Sequence, residues 1–372
     1  MKLRMSVLFM FLLVVFVANQ SFTTAKEKAK IQIALLLDTS NSMDGLIDQA
    51  KSQLWKIVNE MATAKFDGET PNLEIALYEY GNDGLSAREG YIRQVAQMTT
   101  DLDKISEDLF ALKTNGGSEF CGQVIDVSLK QLLWSESNDD LKMIFIAGNE
   151  PFNQGGVDYK ESCKKAITKG IIVNTIFCGD YQLGINTFWK DGADLADGKY
   201  MNIDQDKKVV HIPTPFDDPI VQLNKELNKT YIGYGNQGKK MKERQATQDN
   251  NASSMGSGSY VNRAMSKSSK MYKNEQWDLV DAVEEDEEKL DKITDDELPE
   301  ELKGKSKEEI KVYVDKKKKE RENINKQINE LSKKRTKYIA DKRKESTEEL
   351  SLDNIMIKTV KDQAKKKNYK FK

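Results

Sequence analysis

The stretch IQIALLLDTSNSM, residues 31–43, carries seven mostly apolar residues straight into Asp38, Ser40 and Ser42. A short, near-continuous apolar run suits a strand buried on both faces, as in a parallel sheet. Three similar runs follow, at residues 73–80 (LEIALYEY), 143–147 (MIFIA) and 171–178 (IIVNTIFC). Between them, residues 46–64, 102–112, 123–133 and 159–169 place apolar side chains at helical spacing. In the first of these, Leu46, Ile47, Ala50, Leu54, Ile57, Val58 and Met61 share a face. Strands alternating with helices predict an α/β fold, a doubly wound and mostly parallel sheet with helices on both sides. Residues 91–98 (YIRQVAQM) read as an antiparallel edge strand.

Beyond this region the composition shifts. The chain has 372 residues, 38% hydrophobic and 32% charged, which is too polar for one uniform globule. Residues 239–372 hold 34 of the 58 basic and 28 of the 60 acidic residues, so the charge excess belongs mainly there. Three of the six prolines fall in residues 209–219 (VVHIPTPFDDP), which mark the exit of the α/β domain. Residues 220–229 read as one more helix, followed by a glycine-punctuated connection to residue 238. Residues 239–260, with NNASSMGSGS at 250–259, read as a polar linker. Residues 261–372 read as a charged helical region. Within it Ile324, Ile328, Leu331 and Tyr338 follow a heptad-like spacing with Arg335 at the missing step. That pattern suits either a short coiled coil, through which the chain would self-associate, or a helical hairpin folding back through Leu352, Ile355, Met356 and Val360.

The chemistry starts at Asp38. D-x-S-x-S at the carboxyl end of a buried strand, just before a helix, lies at the sheet edge where open α/β folds bind ligands. One carboxylate and two hydroxyls converge there, a set suited to a hard cation such as Mg²⁺. With one histidine in the chain, His211, a multi-histidine zinc site is excluded. His211, between Val210 and Ile212, reads as a packed residue rather than a base.

At this point the sequence resembles the von Willebrand factor type A (VWA) domain with its metal-ion-dependent adhesion site, over residues 29–212. The resemblance rests on D-x-S-x-S, on Gly116-Gly117-Ser118 opening a helix, and on the strand order. It implies a Mg²⁺-like ion, or Mn²⁺ or Ca²⁺, held by Asp38, Ser40, Ser42 and Ser118, with Ser118 standing where the family has Thr. The family's T-D-G turn after the fourth strand is Ala147-Gly148-Asn149-Glu150 here, so its Asp position falls on Gly148. Asn149 and Glu150 are the replacement donors next in line. Glu119, Cys121 and the turns Gly81-Asn82-Asp83 and Gly179-Asp180-Tyr181 ring the same edge and read as turns rather than ligands. The segments VVHIPTPFDDPI and SKMYKNEQWDLVDA resemble the C-terminal part of a group of exported bacterial VWA proteins.

The N-terminus reads as a secretory signal over residues 1–25, with Lys2 and Arg4 ahead of an apolar stretch, and Thr23 and Ala25 before the cleavage point. No later stretch is apolar enough to span a bilayer. The expected destination is the periplasm, the cell envelope or the exterior. In an oxidising compartment the three cysteines permit one disulfide, for which Cys163–Cys178 is the favoured pairing. The combined expectation is an exported, non-enzymatic binding module whose ion takes a carboxylate from a protein partner, with no role in nucleic-acid binding. The alternative is a scaffold with a degenerate metal site, interacting mainly through its charged tail.

Overall fold

The computed structural model describes residues 28–204, 211–286, 289–343 and 352–371. The expected leader lies outside these residues. Strand β1 (Lys30–Asp38) leads into helix α1 (Asp44–Met61), and the short β2 (Ala64–Lys65) follows. Then come β3 (Asn72–Tyr80), β4 (Ile92–Thr99), α2 (Leu102–Ala111), α3 (Cys121–Gln131), β5 (Leu141–Gly148), α4 (Tyr159–Thr168) and β6 (Ile171–Cys178). Helices α5 (Tyr181–Asn186) and α6 (Trp189–Asp194) precede the last sheet strand, β7 (Tyr200–Ile203). The sheet order is β4-β3-β1-β5-β6-β7, parallel throughout except for β4. The four apolar runs and the antiparallel edge strand are thus the strands expected. The two short helices and β7 had no clear apolar signature.

Alternation along the strands feeds two separate cores. On one face Ala34, Leu36, Ile144 and Ile146 pack with Val124, Ile125 and Leu129 of α3. On the other, Ile33, Leu37, Met143 and Phe145 pack with Leu46, Leu54 and Val58 of α1. Full burial of each such aliphatic side chain contributes ~1.5–3 kcal/mol, so burial on both faces explains why the strands read as continuous apolar runs. Local caps place the helices: Asp101, Asp158 and Asp180 accept backbone N–H bonds from Lys104, Lys160 and Leu183 at 3.0, 2.9 and 2.8 Å. The chain winds outward from β1 toward β4, then from β5 toward β7. The crevice between the ends of β1 and β5 is therefore the topological switch point of the sheet.

The C-terminal part departs from expectation. It consists of α7 (Asp217–Asn228), α8 (Gly238–Ser254), α9 (Ser257–Lys267), α10 (Leu279–Glu285), α11 (Lys289–Lys292), α12 (Lys307–Arg343), α13 (Leu352–Lys366) and β8 (Lys370–Phe371). Residues 239–260 are not a linker. They form α8 and the start of α9, broken at Gly256, whose φ of +106° only glycine adopts readily. Small residues give these helices a close approach to the domain rather than flexibility: Ser266 Oγ donates to the Trp55 carbonyl at 3.1 Å, and Ala264 and Ala252 join the α1 core.

Nor does the tail form a hairpin of α12 with α13. Helix α12 packs against α7, α9 and α10, whereas α13 lies against α1 and β7. Strand β8 then pairs antiparallel with β2. Ile328, Met356, Val360, Ala364 and Tyr369 belong to the same core as Ile33 and Leu54. His211 lies outside any strand and is half-buried, its Nε2 2.9 Å from Asp217 Oδ2.

Candidate functional site

Asp38 is the last residue of β1 and is fully buried. Its Oδ1 accepts the Ser40 backbone N–H at 2.7 Å, which shapes the turn into a 3-10 segment over Asn41–Met43. Thr39 is tied sideways: its N–H donates to the Tyr80 carbonyl at 2.8 Å, and its carbonyl accepts from Asn115 N at 2.9 Å. Those bonds bring the end of β3 and the loop before α3 against the end of β1.

That loop delivers Ser118 and Glu119 differently. Ser118 is exposed, whereas Glu119 is 3% exposed and its N–H donates to Gln154 Oε1 at 3.1 Å. Across the switch point, the loop after β5 supplies Asn149, whose Nδ2 donates to Ser42 Oγ at 3.0 Å. Glu150 is exposed; its Oε2 accepts from Gln154 Nε2 at 3.2 Å, and its carbonyl accepts from Trp189 Nε1 at 2.8 Å. The structure therefore gathers Asp38, Ser40, Ser42, Asn149 and Glu119 around one crevice, while the Glu150 side chain engages its own loop.

Two glycines leave the space these groups occupy. A Cβ at Gly81 would stand 2.8 Å from both Asp38 Oδ1 and Glu119 Cγ. One at Gly148 would stand 2.6 Å from the Tyr80 hydroxyl and 3.1 Å from Asp38 Oδ2. The Tyr80 hydroxyl donates to the Ala147 carbonyl at 2.9 Å and fills the ground a side chain at 148 would need.

Four oxygens at this edge are buried and have no hydrogen-bond partner: Asp38 Oδ2, Ser40 Oγ, Glu119 Oε2 and Asn149 Oδ1. Orphan buried acceptors are costly and rare in folded proteins. Burial pushes the Asp38 carboxyl well above its usual range, and the adjacent Glu119 adds to the effect. Burial also raises Glu119. Two desolvated carboxylates facing orphan hydroxyl and amide oxygens fit a hard divalent cation, which wants several oxygen ligands. Among the described residues no group of three or more His, Cys, Asp or Glu is placed to hold a metal, so hydroxyl and amide oxygens would have to complete the shell. Glu119 was passed over in the sequence because an acid at a helix start ordinarily serves as a solvated turn residue.

The cysteines correct another expectation. Cys121, Cys163 and Cys178 are all buried free thiols. Cys163 belongs to the core on the α3 and α4 side of the sheet and Cys178 to the core on the α1 side, so the sheet separates the expected pair. Burial pushes the Cys163 thiol up to about 12, and a protonated, enclosed thiol is unreactive.

No curated protein matches the chain. Among solved structures, the conserved hypothetical protein BatB from Bacteroides thetaiotaomicron is 17% identical, covering 47% of this chain and 90% of its own, with a TM-score of 0.36. An aerotolerance-related membrane protein from Bacteroides fragilis is 16% identical, covering 47% of this chain and 92% of its own, with a TM-score of 0.33. Proximal thread matrix protein 1 from the mussel byssus, with zinc in its MIDAS motif, is 11% identical, covering 48% of this chain and 43% of its own, with a TM-score of 0.35. The family model of the von Willebrand factor type A domain matches residues 32–186, the span that contains Asp38, Ser118, Glu119 and Asn149. Over those residues the chain is similar to the VWA domain.

Proposed function

We propose that this protein is an exported, non-enzymatic binding module whose VWA domain uses a divalent cation to bind an acidic group of a protein partner. The observation that carries this reading is the set of four unpartnered buried oxygens at the sheet's switch point. Asp38, Ser40 and Ser42 would hold the ion from the β1 turn, with Ser118 approaching from the α3 side and Asn149 from the loop after β5. Bound there, Mg²⁺, Mn²⁺ or Ca²⁺ supplies an electrophilic centre for an incoming carboxylate oxygen. The chain's own part is to orient these oxygens and keep those of Asp38, Ser40 and Asn149 out of bulk water, so that the ion replaces the missing hydrogen bonds. Export rests on the leader-like residues 1–25, and no helix among the described residues is long and apolar enough to cross a membrane.

The alternative, a scaffold acting through its charged tail, draws less support. The apolar stripe of α12 packs onto α7, α9 and α10 of the same chain instead of standing free for a partner.

Partner capture from the envelope fraction of the source cells tests the proposal. It is run with and without Mg²⁺, on the native chain and on Asp38→Ala. Recovery of a partner only by the native chain with metal is expected; identical recovery in all four samples overturns the metal-dependent reading.

A further inference from the structure

We propose that Glu119 is itself a ligand of the cation, supplying from the start of α3 the second carboxylate that Gly148 does not provide. This inference rests on the metal-dependent reading above and extends its ligand set. Glu119 is 3% exposed, Asp38 is 0% exposed, and each has one carboxylate oxygen, Oε2 and Oδ2, with no hydrogen-bond partner. Asp38 Oδ1 accepts the Ser40 N–H at 2.7 Å and the Glu119 N–H donates to Gln154 Oε1 at 3.1 Å, and among the described residues no lysine or arginine pairs with either carboxylate. Two buried carboxylates facing each other without a counter-charge are strongly unfavourable, because burial weakens hydration and like charges repel. A divalent ion between them removes both penalties at once.

Proximity is set by the backbone. Asp38 Oδ1 and Glu119 Cγ each lie 2.8 Å from the point a Gly81 Cβ would occupy, so they flank one small space beneath that glycine. The loop carrying Glu119 is fastened at three places: Asn115 N donates to the Thr39 carbonyl at 2.9 Å, Asp83 N to the Gly116 carbonyl at 2.6 Å, and Glu119 N to Gln154 Oε1 at 3.1 Å. The carboxylate is thus held at the metal edge before any ion arrives. At Gly148, the Tyr80 hydroxyl and Asp38 Oδ2 leave no room for a side chain. The second charge reaches the crevice from α3 because it has no access from β5.

The consequence is electrostatic. An ion held by Asp38 and Glu119 together is formally neutral, so Glu119 raises affinity for the metal and moderates the ion's pull on a third carboxylate.

Calorimetric titration of the full chain with Mn²⁺ and with Mg²⁺ tests this, comparing the native protein with Asp38→Asn, Glu119→Gln, Glu119→Asp and Glu150→Gln. Native binding is expected, with at least a tenfold loss in Asp38→Asn and Glu119→Gln, partial recovery in Glu119→Asp, and a change within twofold in Glu150→Gln. Near-UV circular dichroism of each variant establishes that it is folded; if Glu119→Gln does not fold, the Glu119→Asp titration carries the comparison, and an affinity within twofold of native then counts against the ligand role. A native chain that binds neither metal overturns the metal-dependent function altogether. Native binding with an unchanged Glu119→Gln affinity overturns the role of Glu119 alone, leaving a carboxyl pair that shares a proton.

Discussion

Asp38 ends a strand packed on both faces, yet its Oδ2 faces no donor. The residues that make this setting come from far along the chain: Tyr80 closes one side, Glu119 another, and Gly148 leaves the gap between them. Gly148 is therefore a sensitive small residue of the site. Its substitution by Ala would drive a methyl group to 2.6 Å from the Tyr80 hydroxyl, which is held by the Ala147 carbonyl. The expected result is a loss of about 1–3 kcal/mol, the usual cost of overpacking a filled site. Urea unfolding checks it, with Gly156→Ala as the control, because a Cβ at Gly156 meets nothing within 4 Å. Equal midpoints for the two variants would contradict the crowding argument.

Elements in this protein are joined by buried charge as much as by apolar contact. Arg263 of α9 is fully buried, pairs with Asp103 of α2 at 2.7 Å and with Asp249 of α8, and lies 4.6 Å over the Trp55 ring of α1. Lys267 sits one turn on and pairs with Asp249 at 3.1 Å. On α12, Arg321 reaches Asp278 at 2.7 Å and Asp281 at 2.6 Å and stacks 4.1 Å over Tyr231; Arg335 reaches Asp217 at 2.9 Å.

These arginines explain the heptad-like stripe. Ile310, Val314, Arg321, Ile328 and Arg335 form one buried face, and its charged positions find carboxylates on neighbouring helices of the same chain. A coiled-coil partner would have to replace those pairs.

The same network sets a pH dependence. The nearby Lys267 and Arg263 charges hold the Asp249 carboxyl down at about 2, against the burial that opposes them. A carboxyl depressed in the fold stabilises it above the ordinary carboxylate range, and that stability disappears as pH falls from about 4 toward 2. The shift corresponds to about 2–3 kcal/mol. Asp249→Asn should lower stability near neutral pH by about 3–5 kcal/mol, since it leaves the buried Lys267 without a carboxylate and Arg263 with Asp103 alone. It should also flatten the decline between pH 5 and 2.5. Urea midpoints at the two pH values measure both effects; an undiminished acid decline in the variant would exclude Asp249 as its source.

For the molecule as a whole, the α1 side of the sheet shares one core with α7, α8, α9, α13 and Ile328 of α12, while α10, α11 and the first turns of α12 form a separate cluster. A fragment ending at residue 238 would keep every strand of the six-stranded sheet but remove α8, α9, α13 and β8 from the α1 and α2 side. It would expose apolar surface around Trp55, Val58 and Met61 that the full chain buries beside Val261 and Val360. Such a fragment is expected to bind a hydrophobic dye and to associate, whereas the full chain remains monodisperse in light scattering. A monomeric, dye-silent fragment would mean that the domain does not need its tail.

What could be read along the chain was whatever depends on local period and local chemistry. The strands announced themselves because burial on both faces demands continuous apolar residues, and D-x-S-x-S stood out because it follows one of them directly. The same local logic misread residues 239–260, where small and polar residues suggested slack chain although their smallness serves close helix packing. It also paired Cys163 with Cys178, because adjacency in a βαβ unit does not say on which face of the sheet each side chain lands. Glu119 escaped for a related reason: one acid before a helix looks solvated until β1, β3 and the loop after β5 close around it. Burial and charge pairing are properties of the space between elements, and that space exists only once the sheet has brought the ends of β1, β3 and β5 together and the tail has folded back across α1.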